Sequence, residues 1–295
     1  MFRRKRFCLR LPSRTLELGE RTLIMGVLNV TPDSFSDGGL FFDPHKAAAH
    51  ALQIERAGAD ILDIGGESTR PGSAPISAEE ELERVLPVLE RLRRRLKIPI
   101  SIDTQKSRVA EAAVAAGAEM INDVSALRAD AGLAEVARRH RLPVVLMHMR
   151  GKPRTMQKRP FARNVVRDVL SGLGAALERA RRAGLAKSDI LLDPGIGFGK
   201  SFAQNYELLA HLPRLAVLGC PLLVGTSRKS FIGATLSRVR QLRAQVPANE
   251  RIWGSAATLA ASILGGAHIV RVHDVAEMVE VARVTDEILQ ASGFH

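Results

Sequence analysis

The chain has 295 residues, of which 46% are hydrophobic, and its mean hydropathy is +0.01; this is enough apolar material for a sizeable core and excludes wholesale disorder. Cys8 and Cys220 are the only cysteines, too few for a disulfide framework, so a reducing cytoplasm is the expected compartment. The formal charge of +12 raises nucleic-acid binding, but the excess arginines (Arg91, Arg93 to Arg95, Arg138, Arg139, Arg141, Arg179, Arg181, Arg182) scatter along helical stretches without interleaved aromatics, which argues for a solvated basic surface. Such a field would also favour a small anionic ligand.

Residues 1–22 are basic and lack an uninterrupted apolar stretch, so they do not read as a secretory signal. FCLRLPSRTLELG reads as two short strands around a Pro-Ser turn, a hairpin leading into the domain. No later run is long enough to span a bilayer, so no membrane partner is expected.

Eight apolar, β-branched runs then follow: 23–29, 60–66, 98–103, 120–125, 143–148, 189–193, 221–227 and 268–274. Helical patterns separate them, among them HKAAAHALQIERAG, AEEELERVLPVLERLRRRL, SRVAEAAVAAG and AGLAEVARRH, with apolar residues at i, i+3 and i+4. Gly58, Gly117 and Gly184 stand where helices commonly stop. Strands alternating with helices imply a parallel sheet, and eight units match an α/β fold of the (β/α)8 TIM-barrel type. A doubly wound open sheet is the rival, but GGES and GIGFG both fail the glycine spacing of its phosphate turn. The expected organisation is one TIM-barrel domain over 1–295, opened by the hairpin segment 1–22.

In such a barrel the strand C-termini face one mouth. Those ends carry Asn29, Glu67 to Arg70, Asp103, Asn122-Asp123, His148, Asp193, Ser227 to Lys229, and Arg271 with His273. Each alone reads as a cap or turn former, and a lone His as hydrogen-bonded structure. Polar groups on all eight runs are harder to attribute to caps. Asp103 and Asp193 against Lys229 and Arg271 suit a flat ligand with donors and acceptors. Arg271 and His273 share a strand face and, beside Asn29, make an anion site. The loops TPDSFSDGG and ESTRPGSAPIS read as a lid over the mouth, contributing Phe35, Arg70 and Pro71.

Taken in order, GVLNVTPDSFSDGG, DIGGESTRPGS, SIDT, INDVS, MHMRGKPRTMQ, DPGIGFGK, GTSRKSFIG and IVRVHDV resemble the dihydropteroate synthase family, from about residue 22 to 290. The resemblance implies a cytoplasmic TIM-barrel transferase of folate biosynthesis. That family condenses 6-hydroxymethyl-7,8-dihydropterin diphosphate with p-aminobenzoate, releases diphosphate and is the target of sulfonamides.

By the same resemblance Asp103, Asn122, Asp193 and Lys229 would hold the pterin, with Met147 against the ring and Arg271 stacked over it and reaching the diphosphate. Asn29, Arg271 and His273 would form the anion site, with Mg²⁺ near Asn29 and Asp33 adding to metal and electrostatics. Thr69, Arg70, Pro71, Phe35, Phe198 and Ser230 would frame p-aminobenzoate, its carboxylate received near Ser230 at a helix N-terminus. A homodimer through the later helices is also implied. The chain departs from the family at Arg150 and Lys152, at Gly254-Ser255, and in the long basic segment 236–251, expected as a helix extension or interface decoration. A methyltetrahydrofolate methyltransferase barrel would not need Lys229-Ser230, Arg271-x-His273 or both long loops, and a non-catalytic pterin-binding paralogue would be marked by damage to TPDSFSDGG or ESTRPG, which are both intact.

Overall fold

Residues 4–31, 43–68, 72–151, 156 and 163–291 are described by a computed structural model. Pro12 and Ser13 turn the chain between β1 (Phe7–Arg10) and β2 (Thr15–Leu18), which pair antiparallel with Phe7 opposite Leu18. The expected hairpin therefore forms, and it buries Leu9, Leu11 and Leu18.

Eight parallel strands follow: β3 (Leu23–Asn29), β4 (Ile61–Gly65), β5 (Ile100–Asp103), β6 (Met120–Asp123), β7 (Val144–Met147), β8 (Ile190–Asp193), β9 (Leu223–Val224) and β10 (Ile269–Val272). Consecutive strands from β3 to β8 are neighbours, β10 lies between β9 and β3, and a parallel bridge from Leu192 to Leu222 closes the ring. Around it run α1 (Pro44–Arg56), α2 (Ala78–Leu92), α3 (Ser107–Ala115), α4 (Gly132–His140), α5 (Val165–Arg182), α6 (Phe202–Ala210), α7 (Ser230–Val239), α8 (Ile252–Leu264) and α9 (Val275–Ala291). One helix follows each strand except β9, which is followed by α7 and α8. This is the (β/α)8 barrel.

Local chemistry sets the boundaries. Asp43 caps α1 by accepting from the backbone of His45 at 2.8 Å, with Pro44 in the first turn. Ser77 caps α2, and Glu79 to Glu81 complement the positive end of its dipole. Gly58, Gly117 and Gly184 take φ values of +97°, +108° and +82°, as expected at helix stops. The seventh run is shorter than expected, only Leu223–Val224 pairing as strand, because the chain turns at Thr226 to Lys229. Helix α2 also ends early: Arg93 leaves the helix and Arg94 is left-handed at φ +66°. The segment 236–251 continues α7 only as far as Val239. After Val239 it reverses at Gln241 (φ +54°) and folds back, burying Val246 under the start of α8.

Strand side chains alternate sides, and that alternation places the site. At the lower level of the barrel, Leu23, Met25, Ile61, Met120, Val145, Leu191, Leu223 and Ile269 form one apolar cluster with the three hairpin leucines. Two residues further along the same strands the inward positions carry Asp63, Asn122, Met147, Asp193 and Arg271, and Asp103 follows Ser101 in the same way. The hairpin thus plugs one end, and the polar level sits below the opposite mouth. A larger apolar cluster lies between strands and helices.

Candidate active site

Four polar side chains from four strands are linked below the mouth, and two more stand beside them. Arg271 Nε donates to Asp63 Oδ2 at 2.6 Å, and its Nη2 donates to Asp103 Oδ2 at 2.9 Å. Asn122 Nδ2 donates to the same Asp63 oxygen at 3.0 Å. Opposite Asp103, Gly65 leaves the space the carboxylate occupies: a Cβ there would lie 3.3 Å from the Asp103 Cβ. Asp193 Oδ1 accepts from the backbone of Gly195 at 2.7 Å. Lys229 leans over the Phe198 ring, its Nζ 4.1 Å from the centroid.

Burial dominates the electrostatics. It pushes the Asp103 carboxyl up to about 8, with Arg271 pulling the other way. Asp193 is likewise raised by burial, against the Gly195 N–H and the charge of Lys229. Burial lowers Lys229 to about 8, with Asp193 opposing. Desolvation acts to lower Arg271, but Asp63 and Asp103 outweigh it and hold the guanidinium charged. Asp103, Asp193, Lys229 and Arg271 are thus all shifted from their ordinary values within one largely buried pocket, the setting in which perturbed groups mark a functional site.

Met147 is buried in a small cluster with Val124, Met149 and Met156, and Phe198 packs against it, giving the pocket an apolar wall. His273 lies just past the end of β10, which carries Arg271; its Nδ1 is 3.1 Å from Ser227 Oγ, and burial together with Arg271 lowers it to about 3, so the ring is neutral. Ser230 opens α7, whose N-terminus no side chain caps. Asn29 closes β3, half-buried and level with Gly65 of β4.

Other strand-end residues are drawn elsewhere. Asp123 accepts from the backbones of Ser125 and Leu127 at 2.7 and 2.5 Å and shapes its own turn. His148 faces Asp168 with Nε2 at 3.2 Å, away from the pocket. Arg228 Nε pairs with Asp274 at 3.1 Å. Glu67 receives Lys106 at 2.7 Å, and the same ammonium reaches buried Glu81. Asp33, Phe35, Thr69, Arg70 and Pro71, with the lid they were expected to form, lie outside the described residues.

Asp63 was missed from the sequence. It sits mid-strand, fully buried, where DILDIGG reads as core. The signal was the charged residue itself at an inward position, where an ionised group needs a partner.

Among the described residues no cluster of three His, Cys, Asp or Glu side chains suits a metal. Asn29 offers one neutral oxygen. That donor set fits a hard divalent ion whose other ligands are phosphate oxygens and water.

The family of pterin binding enzymes matches residues 25–273. Dihydropteroate synthase of Synechocystis is 47% identical over 270 residues, 92% of this chain and 91% of that one. A structure of the Xanthomonas albilineans dihydropteroate synthase with 4-aminobenzoic acid superposes with a TM-score of 0.87 at 46% identity, covering 97% of this chain and 99% of that one. The Yersinia pestis dihydropteroate synthase with a sulfonamide drug gives a TM-score of 0.88 at 44% identity, over 97% and 100% of the two chains. With the barrel, the polar level and these likenesses all in agreement, the chain belongs to the dihydropteroate synthase family of pterin-binding enzymes.

Proposed function

We propose that the pocket holds a pterin diphosphate and joins its methylene carbon to the amine of p-aminobenzoate, giving dihydropteroate and diphosphate. The observation that carries this reading is the convergence of Asp103, Asn122, Asp193, Lys229 and Arg271 above an apolar floor. A 2-amino-pyrimidinone edge presents donors and acceptors together. The carboxyls of Asp103 and Asp193 with the Asn122 amide match its donor side, and Lys229 its carbonyl. Met147 and Phe198 supply a face for the ring.

The chemistry needs no protein nucleophile. Lys229 and Arg271 are positioned to meet negative charge as diphosphate departs, while the carboxyls stabilise positive charge on the pterin methylene. The aniline nitrogen then attacks that carbon. Asn29 would hold Mg²⁺ with the diphosphate, and the bound ion would neutralise the leaving group. Asp33 adds to that electrostatic work, and His273 completes the anion side. Phe35, Thr69, Arg70 and Pro71 are assigned to walling p-aminobenzoate and excluding water. Its carboxylate is assigned to Ser230 and the uncapped start of α7. The Xanthomonas and Yersinia relatives, with 4-aminobenzoic acid and a sulfonamide drug, support p-aminobenzoate as substrate here and sulfonamides as competitors.

Three further readings accompany this one. Trp253 is 78% exposed on α8, and Val284 and Ile288 are exposed on the adjoining α9, which supports a homodimer through these helices. The shared apolar cluster of hairpin and strands supports one domain over 1–295. Both cysteines are free and no described helix is long and apolar enough to cross a membrane, in keeping with a cytoplasmic enzyme.

The test is release of diphosphate from the pterin substrate, followed with and without p-aminobenzoate and Mg²⁺. Release that depends on both supports the assignment; release indifferent to p-aminobenzoate contradicts it.

A further inference from the structure

The loop after β8 is wrapped around a lysine that the chemistry above does not use. Lys200 is 0% exposed. Its ammonium donates to the carbonyl oxygens of Gly195 (2.7 Å), Phe198 (3.1 Å) and His148 (3.3 Å), and to His148 Nδ1 (3.1 Å). Three carbonyls and a ring nitrogen are the donor set of a bound cation, here tethered to the chain. A buried ammonium is costly unless such partners surround it.

The turn closes tightly around it. Gly195 is left-handed at φ +65°, and a Cβ on it would lie 1.9 Å from the His148 carbonyl oxygen. Two dipoles therefore meet at the point where Lys200 supplies positive charge. His148 fits this arrangement: since Nδ1 accepts from Lys200, the ring proton is on Nε2, facing Asp168 at 3.2 Å. Burial, with the charges of Lys200 and Arg150, lowers His148 to about 3 and keeps the ring neutral. Burial also lowers Lys200 to about 7, with Asp193 drawing it back up.

Both ends of this turn enter the pocket. Gly195 donates its N–H to Asp193, and Phe198 lies under Lys229. We infer that Lys200 is a positioning residue, an internal cation that fixes the Gly195 to Phe198 turn and through it the placement of Asp193 and Lys229 for the pterin. This inference rests on the site assignment proposed above.

The experiment compares the full-length protein with Lys200→Met, Lys200→Ala and Asp193→Asn. For Lys200→Met the expected result is a KM for the pterin diphosphate raised about tenfold, with a smaller change in KM for p-aminobenzoate. Ethylammonium, at concentrations where potassium has no effect, restores pterin affinity to Lys200→Ala. In ¹⁵N spectra of the wild type, His148 shows the proton on Nε2. A folded Lys200→Met with wild-type KM overturns the inference, as does a loss that merely tracks the fraction of unfolded protein. Should Lys200→Met not fold, Lys200→Ala decides: refolding by ethylammonium without recovered pterin affinity, or no recovery at all, also overturns it. Normal pterin binding by Asp193→Asn would instead mean that the site assignment itself has failed.

Discussion

Arg271 and Asp63 meet inside the barrel, Nε to Oδ2 at 2.6 Å, although 208 positions separate them in the chain. The contact joins β10 to β4 across β3, and Asp63 also holds Asn122 of β6. One carboxylate therefore organises a cation and an amide that both face the pocket. Replacing it in Asp63→Ala leaves Arg271 and Asn122 short of a buried partner. The expected loss is about 3–5 kcal/mol of unfolding free energy, read from urea denaturation. Asp63→Asn keeps the shape and should lose less, with a raised KM for the pterin substrate.

Gly195 and Gly117 make a matched pair for the β8 turn. Both have positive φ, but a Cβ on Gly117 meets nothing within 4 Å, whereas on Gly195 it meets backbone at 1.9 Å. Gly117→Ala should cost only conformational strain, about 1–3 kcal/mol, and leave kinetics alone. Gly195→Ala must displace the turn, so pterin affinity should fall with it. Equal kinetics in the two variants would contradict the close packing of this turn on His148.

His268 gives the pH dependence a sign. Its Nδ1 accepts from the backbone of Leu222 at 3.0 Å, its Nε2 donates to the Lys5 carbonyl at 2.9 Å, and burial lowers it to about 4. The folded state resists a proton that the unfolded chain accepts below about 6.5. Stability is therefore lost as pH falls from 6.5 toward 4 and levels below that, by about 1.4 kcal/mol per pH unit at most from this residue. His148 and His273 act in the same direction, being lowered to about 3. The stability of His268→Asn should fall less steeply over that window, which thermal unfolding at several pH values would show.

Trp253 tests the proposed pairing through α8 and α9. If the chain forms that homodimer, a charge in Trp253→Glu should halve the mass seen in sedimentation and leave secondary structure unchanged. A wild type that sediments as a monomer, or a variant of unaltered mass, would contradict the proposal.

Much of this was readable from the sequence, for a physical reason. Parallel strands buried on both faces stand out as apolar runs, and the first polar residue after each run marks the mouth. Asp103, Asn122, Asp193, Lys229 and Arg271 were picked out at the ends of these runs, and the structure gathers them at one level of the barrel. Contacts between distant segments were not readable. Asp63 looks like one polar letter in a core strand until Arg271 is seen beside it. LSRVRQLRAQ has helical composition, yet Arg251 donates to the carbonyls of Val246 and Arg228 at 2.8 and 2.7 Å and draws the segment back. Such long-range bonds override local propensity. His148 was taken for a mouth residue by position alone, and Lys200 turns it into a support.

The central claim is that the residues gathered at the barrel mouth bind the pterin, and Asp193 tests it most directly. Calorimetric titration of the pterin diphosphate into wild type and Asp193→Asn should show affinity weakened by about a hundredfold or more, with circular dichroism unchanged. A folded Asp193→Asn protein that binds the pterin as tightly as the wild type would contradict the account.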